Sequence, residues 1–405
     1  MRTLKDFNLK GKRVLVRCDF NVPLGEKGEM AKRASSSSLS SFPKEMKILD
    51  DFKIKKTIPT IEYLIEKGAK VILMSHLGRP EGKVVESLRL TPIQDKLMEY
   101  LDFSITKTKD CIGKEIEDWI NQMQPGEILL LENLRFHKEE EENNDNFAKE
   151  LTKLGDIYIN DAFADCHRNH TSIVGIPKYL PSGAGLLLEK EIKVLSKVLE
   201  NPWRPLITII GGVKIASKIK VISQFLEKAD HLLLGGEIAN AILVVKGVSI
   251  GQPLPEKEVI KKIEKISLTN PKLHLPIDGI ISLRTLEEGY LREGAIGTVR
   301  KEEKIYDIGI ETIKVFKEII KLAKMIVWSG PLGMFENEKF EKGTKEIAEV
   351  ISRNHFAFKI AGGGDTISAL NKFNLIDKFD YVSTGGGAML EFLAGEKLPG
   401  IEALK

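Results

Sequence analysis

Four glycine clusters in the second half of the chain, Gly211-Gly212, Gly235-Gly236, Gly362-Gly363-Gly364 and Gly385-Gly386-Gly387, each follow an apolar run. Glycines at a strand end let backbone N–H groups approach phosphate oxygens, and a following helix adds the positive potential of its N-terminus. One such pair is usually a tight turn. Four at the same end of one sheet point to an anionic ligand. Asp365 and Thr366 follow the third cluster. There Asp could cap a helix or hold Mg²⁺, which takes one or two carboxylates plus phosphate oxygens. Lys214 and Lys218 follow Gly211-Gly212 at i, i+4. On one helix face they would be a solvated pair or, behind a Gly-Gly turn, cations aimed at one phosphate. No G-x-x-x-x-G-K-[ST] occurs, so this is no P-loop enzyme, and no G-x-G-x-x-G opens a helix to hold a dinucleotide. Cys166–His170 (CHRNH) lacks the Asp after Arg of a protein-kinase catalytic loop.

The first half supplies basic groups after successive apolar runs. Arg17 and Asp19 close the first and lead to Asn21; His76 and Arg79 follow the second; Arg135 and His137 follow the third; His167, Arg168 and His170 follow the fourth. A single Arg at a strand end is usually a surface residue. Four at successive strand ends of one sheet would form a cationic basket, and guanidinium groups pair bidentately with carboxylate and phosphate. A small phosphorylated acid is the natural guest.

Elements must exist to position these groups. Strands are expected at Arg13–Arg17, Lys70–Ser75, Glu127–Leu131 and Ile157–Asn160, then at Pro205–Ile210, His231–Leu234, Met325–Trp328, Ala357–Ala361 and Tyr381–Ser383. Helical patterns separate them, among them Ile58–Glu66, Phe147–Lys153, Lys214–Lys228, Glu311–Lys321 and Lys339–Arg353. Strands spaced by helices imply βαβ units and parallel sheets covered on both faces. The fold class is therefore α/β, two doubly wound lobes in series. Expected boundaries are 1–180 for the first lobe, 181–199 for a helical connector opening PSGAG, 200–388 for the second lobe and 389–405 for a tail. Gly28–Lys47 breaks the pattern with serines at 35–38 and 40–41; such a run buries little apolar surface and is expected to be a mobile loop. Lys32-Arg33-Ala34-Ser35 within it matches a basophilic kinase site, a short motif that recurs by chance.

A chain of 405 residues is too long for one ordinary core. Its 61 basic and 58 acidic residues balance to +3, without the basic excess of a nucleic-acid binder. Three cysteines with no C-x-x-C pair argue against a disulfide framework or a clustered zinc motif. The first twenty residues lack a signal-peptide pattern and no apolar run approaches the ~20 residues of a membrane span. A cytoplasmic protein with no nucleic-acid or membrane partner is expected.

The blocks RCDFNVP, SHLGRP, LLLENLRFHKEE, NDAF…HRNHTS, GGVKIASK, WSGPLGMFE, GGGDT and STGGGAMLEFL resemble, in order, the signature blocks of the phosphoglycerate kinase family. The resemblance covers nearly the whole chain. It implies two Rossmann-like lobes joined by a helix and hinge, the tail returning to the first lobe, in a monomer. It also implies reversible transfer of a phosphoryl group from 1,3-bisphosphoglycerate to MgADP, giving 3-phosphoglycerate and MgATP. By resemblance, Arg17, Asp19, Asn21, His76, Arg79, Arg135, His167 and Arg168 hold the phosphoglycerate. Gly211, Gly212, Lys218, Gly235, Gly236, Glu336, Gly362 and Thr366 hold the nucleotide, with Glu336 on the ribose. Asp365 carries Mg²⁺, and Lys53, Lys214, Gly363 and Gly364 act on the group in flight.

The chain departs from the family at Lys53, where an arginine is usual; Lys keeps the charge and loses the planar fork. Lys53 lies thirty positions after Pro23, longer than the usual loop. Smaller departures are Ile310 for Pro, Ser329 for Asn and Glu237 for a small residue. Lys53 and the longer loop motivate a competing reading, a family member that binds ligands or partners without turnover. A dinucleotide-dependent dehydrogenase is a third, set aside by the missing glycine fingerprint.

Overall fold

A computed structural model describes residues 1–26, 46–283 and 290–405. By contacts the chain divides into two compact units, Met1–Ile192 with Lys397–Lys405, and Lys193–Glu396.

In the first unit the strands are β1 (Arg13–Arg17), β2 (Leu24–Glu26), β3 (Met46–Ile48), β4 (Lys70–Met74), β5 (Ile105–Lys107), β6 (Ile128–Leu130), β7 (Ile157–Asn160) and β8 (Ser182–Ala184). Six of them form a parallel sheet in the order β5-β6-β4-β1-β7-β8. A strand covered on both faces must be apolar at every position. Val14, Leu15 and Val16 accordingly are all buried, as are Val71 to Met74. Helices α1 (Phe52–Glu66), α2 (Thr91–Leu101), α3 (Lys114–Gln122) and α4 (Asp145–Thr152) intervene. α1 turns Ile54, Ile61 and Leu64 onto the sheet, residues at helical spacing. From β1 the chain steps one way to β4 and later returns on the other side as β7. Loops therefore diverge beside β1, where ligand crevices form in open α/β sheets.

α5 (Leu186–Glu200) carries the chain from one unit to the other. The second unit holds β9 (Leu206–Ile210), β10 (His231–Leu234), β11 (Leu273–His274), β12 (Asp278–Leu283), β13 (Leu291–Ala295), β14 (Glu303–Ile308), β15 (Met325–Ser329), β16 (Phe358–Gly362) and β17 (Tyr381–Ser383). A second six-stranded parallel sheet runs β11-β10-β9-β15-β16-β17, reversing between β9 and β15. Its helices are α6 (Ile219–Lys228), α7 (Gly236–Val245), α8 (Lys257–Ile263), α9 (Ile310–Lys321), α10 (Lys342–Arg353), α11 (Gly364–Lys372) and α12 (Gly387–Leu393). α13 (Pro399–Glu402) belongs to the first unit, where the Gly400 N–H donates to the Cys166 carbonyl at 2.8 Å.

One expectation is corrected, one lies mostly outside the described residues, and one sheet was not expected. α6 begins at Ile219 rather than Lys214, so Lys214 and Lys218 share no helix face. The cause is local: Lys218 folds its ammonium back onto the Gly211 carbonyl and closes the turn that precedes the helix. The expected loop 28–47 lies outside the described residues except for Met46 and Lys47. These belong to β3, paired antiparallel with β2, with Leu24 and Ile48 against the core. The antiparallel sheet β13-β12-β14, unanticipated from the sequence, closes a small core of Leu243, Ile250, Ile281, Val299 and Ile305. Among the described residues no helix is long and apolar enough to cross a membrane.

Candidate active site

In the first unit the loops after β1, β4, β6 and β7 bring their polar groups together. Asn21 Oδ1 accepts the Gly78 N–H at 2.9 Å, and Arg135 Nη1 donates to the Gly78 carbonyl at 2.9 Å. Asp19 Oδ2 lies 2.6 Å from Lys53 Nζ, which also donates to the Asn21 carbonyl at 3.3 Å. Arg168 Nε stands 3.2 Å from Asp165 Oδ1. Arg17 is wholly buried: Nη2 lies 3.1 Å from both Asp165 Oδ2 and His76 Nδ1, and Nε donates to Ser172 Oγ at 2.8 Å. Its guanidinium braces the floor of the site. Arg79 is exposed on the β4 loop.

The chemistry of this floor is anionophilic. His76 Nε2, Arg135 Nη2, His167 Nδ1 and His170 Nδ1 are buried with no hydrogen-bond partner among the described residues. An orphaned buried donor costs about 1–3 kcal/mol, and a ligand supplying several acceptors would offset that cost. Burial first, then Arg17 and Arg135, hold the His76 imidazole well below its ordinary pKa. Burial, Arg135 and Arg168 hold His170 down to about 4. Both rings are therefore neutral near pH 7. Burial works against the charge on Lys53, but the charge and hydrogen bond of Asp19 prevail and raise its pKa. Asp165 stays ionised despite burial because Arg17, Arg168, Lys53 and Arg135 surround it. Asp19, His76 and Asp165 place ligand atoms within 4.8 Å of one another. With Lys53 and Arg17 already on those carboxylates, the trio suits no cation.

In the second unit the glycine clusters lie at the carboxyl ends of β9, β10, β16 and β17. Their mechanics differ from expectation at four positions. The Gly211 N–H donates to the Ser329 carbonyl, Gly212 to Pro331, Gly235 to Ile210 and Gly236 to Leu332, all between 2.7 and 3.0 Å. These amides are occupied, so they do not face a phosphate. The glycines instead permit contact between loops: a Cβ on Gly211 would stand 2.0 Å from the Pro331 carbonyl oxygen. Amides of the expected kind occur at α11. Its N-cap Gly363 has φ +99° and no side chain caps the helix, leaving a bare N-terminus at Gly364 and Asp365.

Lys218 is buried at this junction, its ammonium on the Gly211 carbonyl. Burial pushes its pKa down to about 8, with Asp365 opposing and Lys214 assisting. Asp365 is thus close enough to be felt, and its carboxylate is exposed in the first turn of α11. Lys214 and Glu336 are exposed on their loops. Thr366 Oγ1 accepts the Gly330 N–H at 2.7 Å and donates to the Gly362 carbonyl at 3.0 Å, tying the β15 loop to α11. Glu237 pairs with Lys304 at 2.8 Å.

The sequence reading did not select Asp165, Glu140 or Ser172. Glu140 accepts both Ser172 Oγ at 2.5 Å and Ser172 N–H at 2.8 Å, and Ser172 in turn receives Arg17. The available signal was an acid placed among cations, Asp165 three residues before Arg168.

The sequence model of the family described as phosphoglycerate kinase matches residues 38–396. Phosphoglycerate kinase of Borrelia garinii subsp. bavariensis is 46% identical over 411 residues, covering 100% of this chain and 99% of that protein. Phosphoglycerate kinase of Dictyoglomus turgidum is 43% identical, covering 99% and 98%. Among solved structures, phosphoglycerate kinase from Coxiella burnetii superposes with a TM-score of 0.81 at 38% identity, and that from Pyrococcus horikoshii with 0.83 at 33%. Each covers 100% of this chain and is itself covered to 98%. The chain belongs to the phosphoglycerate kinase family.

Proposed function

We propose that the chain catalyses reversible phosphoryl transfer between the acyl phosphate of 1,3-bisphosphoglycerate and MgADP, giving 3-phosphoglycerate and MgATP. The observation that carries this reading is the pair of buried donors left open on Arg135 and His76, with unpartnered ring nitrogens of His167 and His170, beside Lys53 and Arg168. A phosphorylated carboxylic acid satisfies such a set.

In this reading Arg135, Arg168, Arg79, His76, His167, Asn21 and Asp19 orient the phosphoglycerate. Arg17 holds Asp165 and His76 in place beneath it. At the other half-site Lys218, Gly211, Gly212, Gly235, Gly236, Gly362 and Thr366 form the wall for the nucleotide, and Glu336 takes the ribose hydroxyls. Asp365, an exposed hard carboxylate beside a bare helix N-terminus, suits Mg²⁺, which when bound neutralises charge on the nucleotide phosphates. Phosphoryl transfer passes through a loose transition state with charge spread over the equatorial oxygens, so positioning and electrostatics suffice. Lys214 and Lys53 meet that charge, and the amides of Gly363 and Gly364 add the helix potential. The two bound groups must meet in line. The segment 181–199, which contains most of α5, is the proposed hinge.

Phosphorus NMR of the purified chain with 3-phosphoglycerate and MgATP tests the assignment. Growth of an acyl-phosphate resonance as ATP is consumed is expected. ATP loss yielding only inorganic phosphate would refute it.

A further inference from the structure

Asp110 and Cys111 follow β5, and His137 follows β6 two residues after Arg135; the proposed phosphoryl transfer uses none of the three. Cys111 Sγ, a His137 ring nitrogen and an Asp110 carboxylate oxygen lie within 4.8 Å of one another. His137 Nε2 and Asp110 Oδ1 are 2.6 Å apart. The thiol is buried, the imidazole half-buried and the carboxylate exposed, so the group opens to solvent on the carboxylate side.

Backbone, hydroxyl and ring contacts hold these groups in place. Thr108 Oγ1 donates to the Asp110 carbonyl at 2.5 Å, as does the Glu132 N–H at 3.3 Å. Asp110 Oδ1 also accepts the Cys111 N–H at 2.6 Å. The His137 ring stacks on Phe147 with centroids 5.2 Å apart.

A sulfur, an imidazole and a carboxylate are donors for zinc-like ions, whereas Mg²⁺ takes oxygen alone. We propose that Asp110, Cys111 and His137 form a binding site for one borderline-soft divalent ion, of which Zn²⁺ is the best match. The thiol proton and the proton between His137 Nε2 and Asp110 Oδ1 both leave to solvent as the metal–sulfur, metal–nitrogen and metal–oxygen bonds form. Zinc bond lengths of about 2.0–2.3 Å set tetrahedral ligand separations of roughly 3.3–3.8 Å; here His137 Nε2 and Asp110 Oδ1 are 2.6 Å apart and all three ligand atoms lie within 4.8 Å of one another. Water completes the fourth position.

The full chain, treated with chelator and free of nucleotide and Mg²⁺, is titrated with Co²⁺ while near-ultraviolet thiolate-to-cobalt absorbance is read. One equivalent should develop the band, and one equivalent of Zn²⁺ should remove it. Cys111→Ser should abolish the band. His137→Gln, at a half-exposed position, should weaken Co²⁺ binding about tenfold or more, with circular dichroism confirming that each variant is folded. The His137 variant keeps the test decisive if Cys111→Ser fails to fold. No band at saturating Co²⁺, a band that persists in Cys111→Ser, or unchanged affinity in folded His137→Gln would overturn the site.

Discussion

Lys53 Nζ lies 2.6 Å from Asp19 Oδ2, a contact joining the first turn of α1 to the loop after β1. The ammonium has three N–H groups, and Asp19 and the Asn21 carbonyl take two. One remains for a transferring phosphoryl group, where a guanidinium would offer a fork. Lys53→Ala should therefore lower kcat by on the order of 10²-fold while changing KM for 3-phosphoglycerate much less, because the contact belongs to the transition state. Steady-state kinetics read both constants. An equal loss in KM with kcat preserved would assign Lys53 to ground-state binding.

Arg135 has one guanidinium nitrogen on the Gly78 carbonyl and another, Nη2, buried without a hydrogen-bond partner among the described residues. Hydrogen bonds to charged groups contribute about 1.5–3 kcal/mol. Arg135→Ala should weaken 3-phosphoglycerate binding by about 10- to 100-fold in calorimetry, with Arg135→Lys intermediate. Unchanged affinity would remove Arg135 from the substrate half-site.

Lys218 loses its proton near pH 8 rather than 10.5 because burial disfavours the ammonium. The charged form is the one that meets a phosphate. Nucleotide affinity should be fullest below pH 8 and fall as pH rises through it, and Lys218→Arg should flatten the profile. Without ligand the sign reverses for stability. The unfolded chain keeps this proton to 10.5 while the folded chain releases it near 8, so the residue's contribution becomes more favourable as pH rises between those values. Fluorescence titrations of ATP from pH 7 to 9 check the first claim.

Ile310 opens α9 where the family usually has proline, and its N–H donates to Glu293 Oε1 at 2.7 Å. A proline there needs no acceptor, whereas isoleucine does. Glu293→Ala should destabilise the protein by about 1 kcal/mol, the scale of a lost helix cap. In an Ile310→Pro background the same change should cost almost nothing. Gly309 already has the extended backbone that a residue before proline requires. Denaturant melts of the four proteins give the coupling.

Most strands of the parallel sheets were legible because they are continuous apolar runs: β1, β7, β10 and β17 begin and end where the sequence places them, whereas the short strands β5, β8 and β11 were not expected. The antiparallel β13 was hidden by Arg292 and Glu293, whose charges read as loop. Which polar residues follow the strand ends was legible by type and position. The roles of Arg17 and of the glycines 211, 212, 235 and 236 were not, since residue type does not reveal which partner occupies a group. Arg17 faces Asp165 across 148 residues of chain, and the four glycine amides face neighbouring loops. Such pairings arise from topology rather than local pattern.

The central claim is that this cationic floor, with Lys53 in place of arginine, supports turnover. Steady-state rates with 3-phosphoglycerate and MgATP, for the wild type and Lys53→Arg in parallel, test it most directly. Clear wild-type turnover, rising in the variant, is the predicted result. If neither protein turns over while both still bind 3-phosphoglycerate and nucleotide, the chain is a binding member of its family and the catalytic account is wrong.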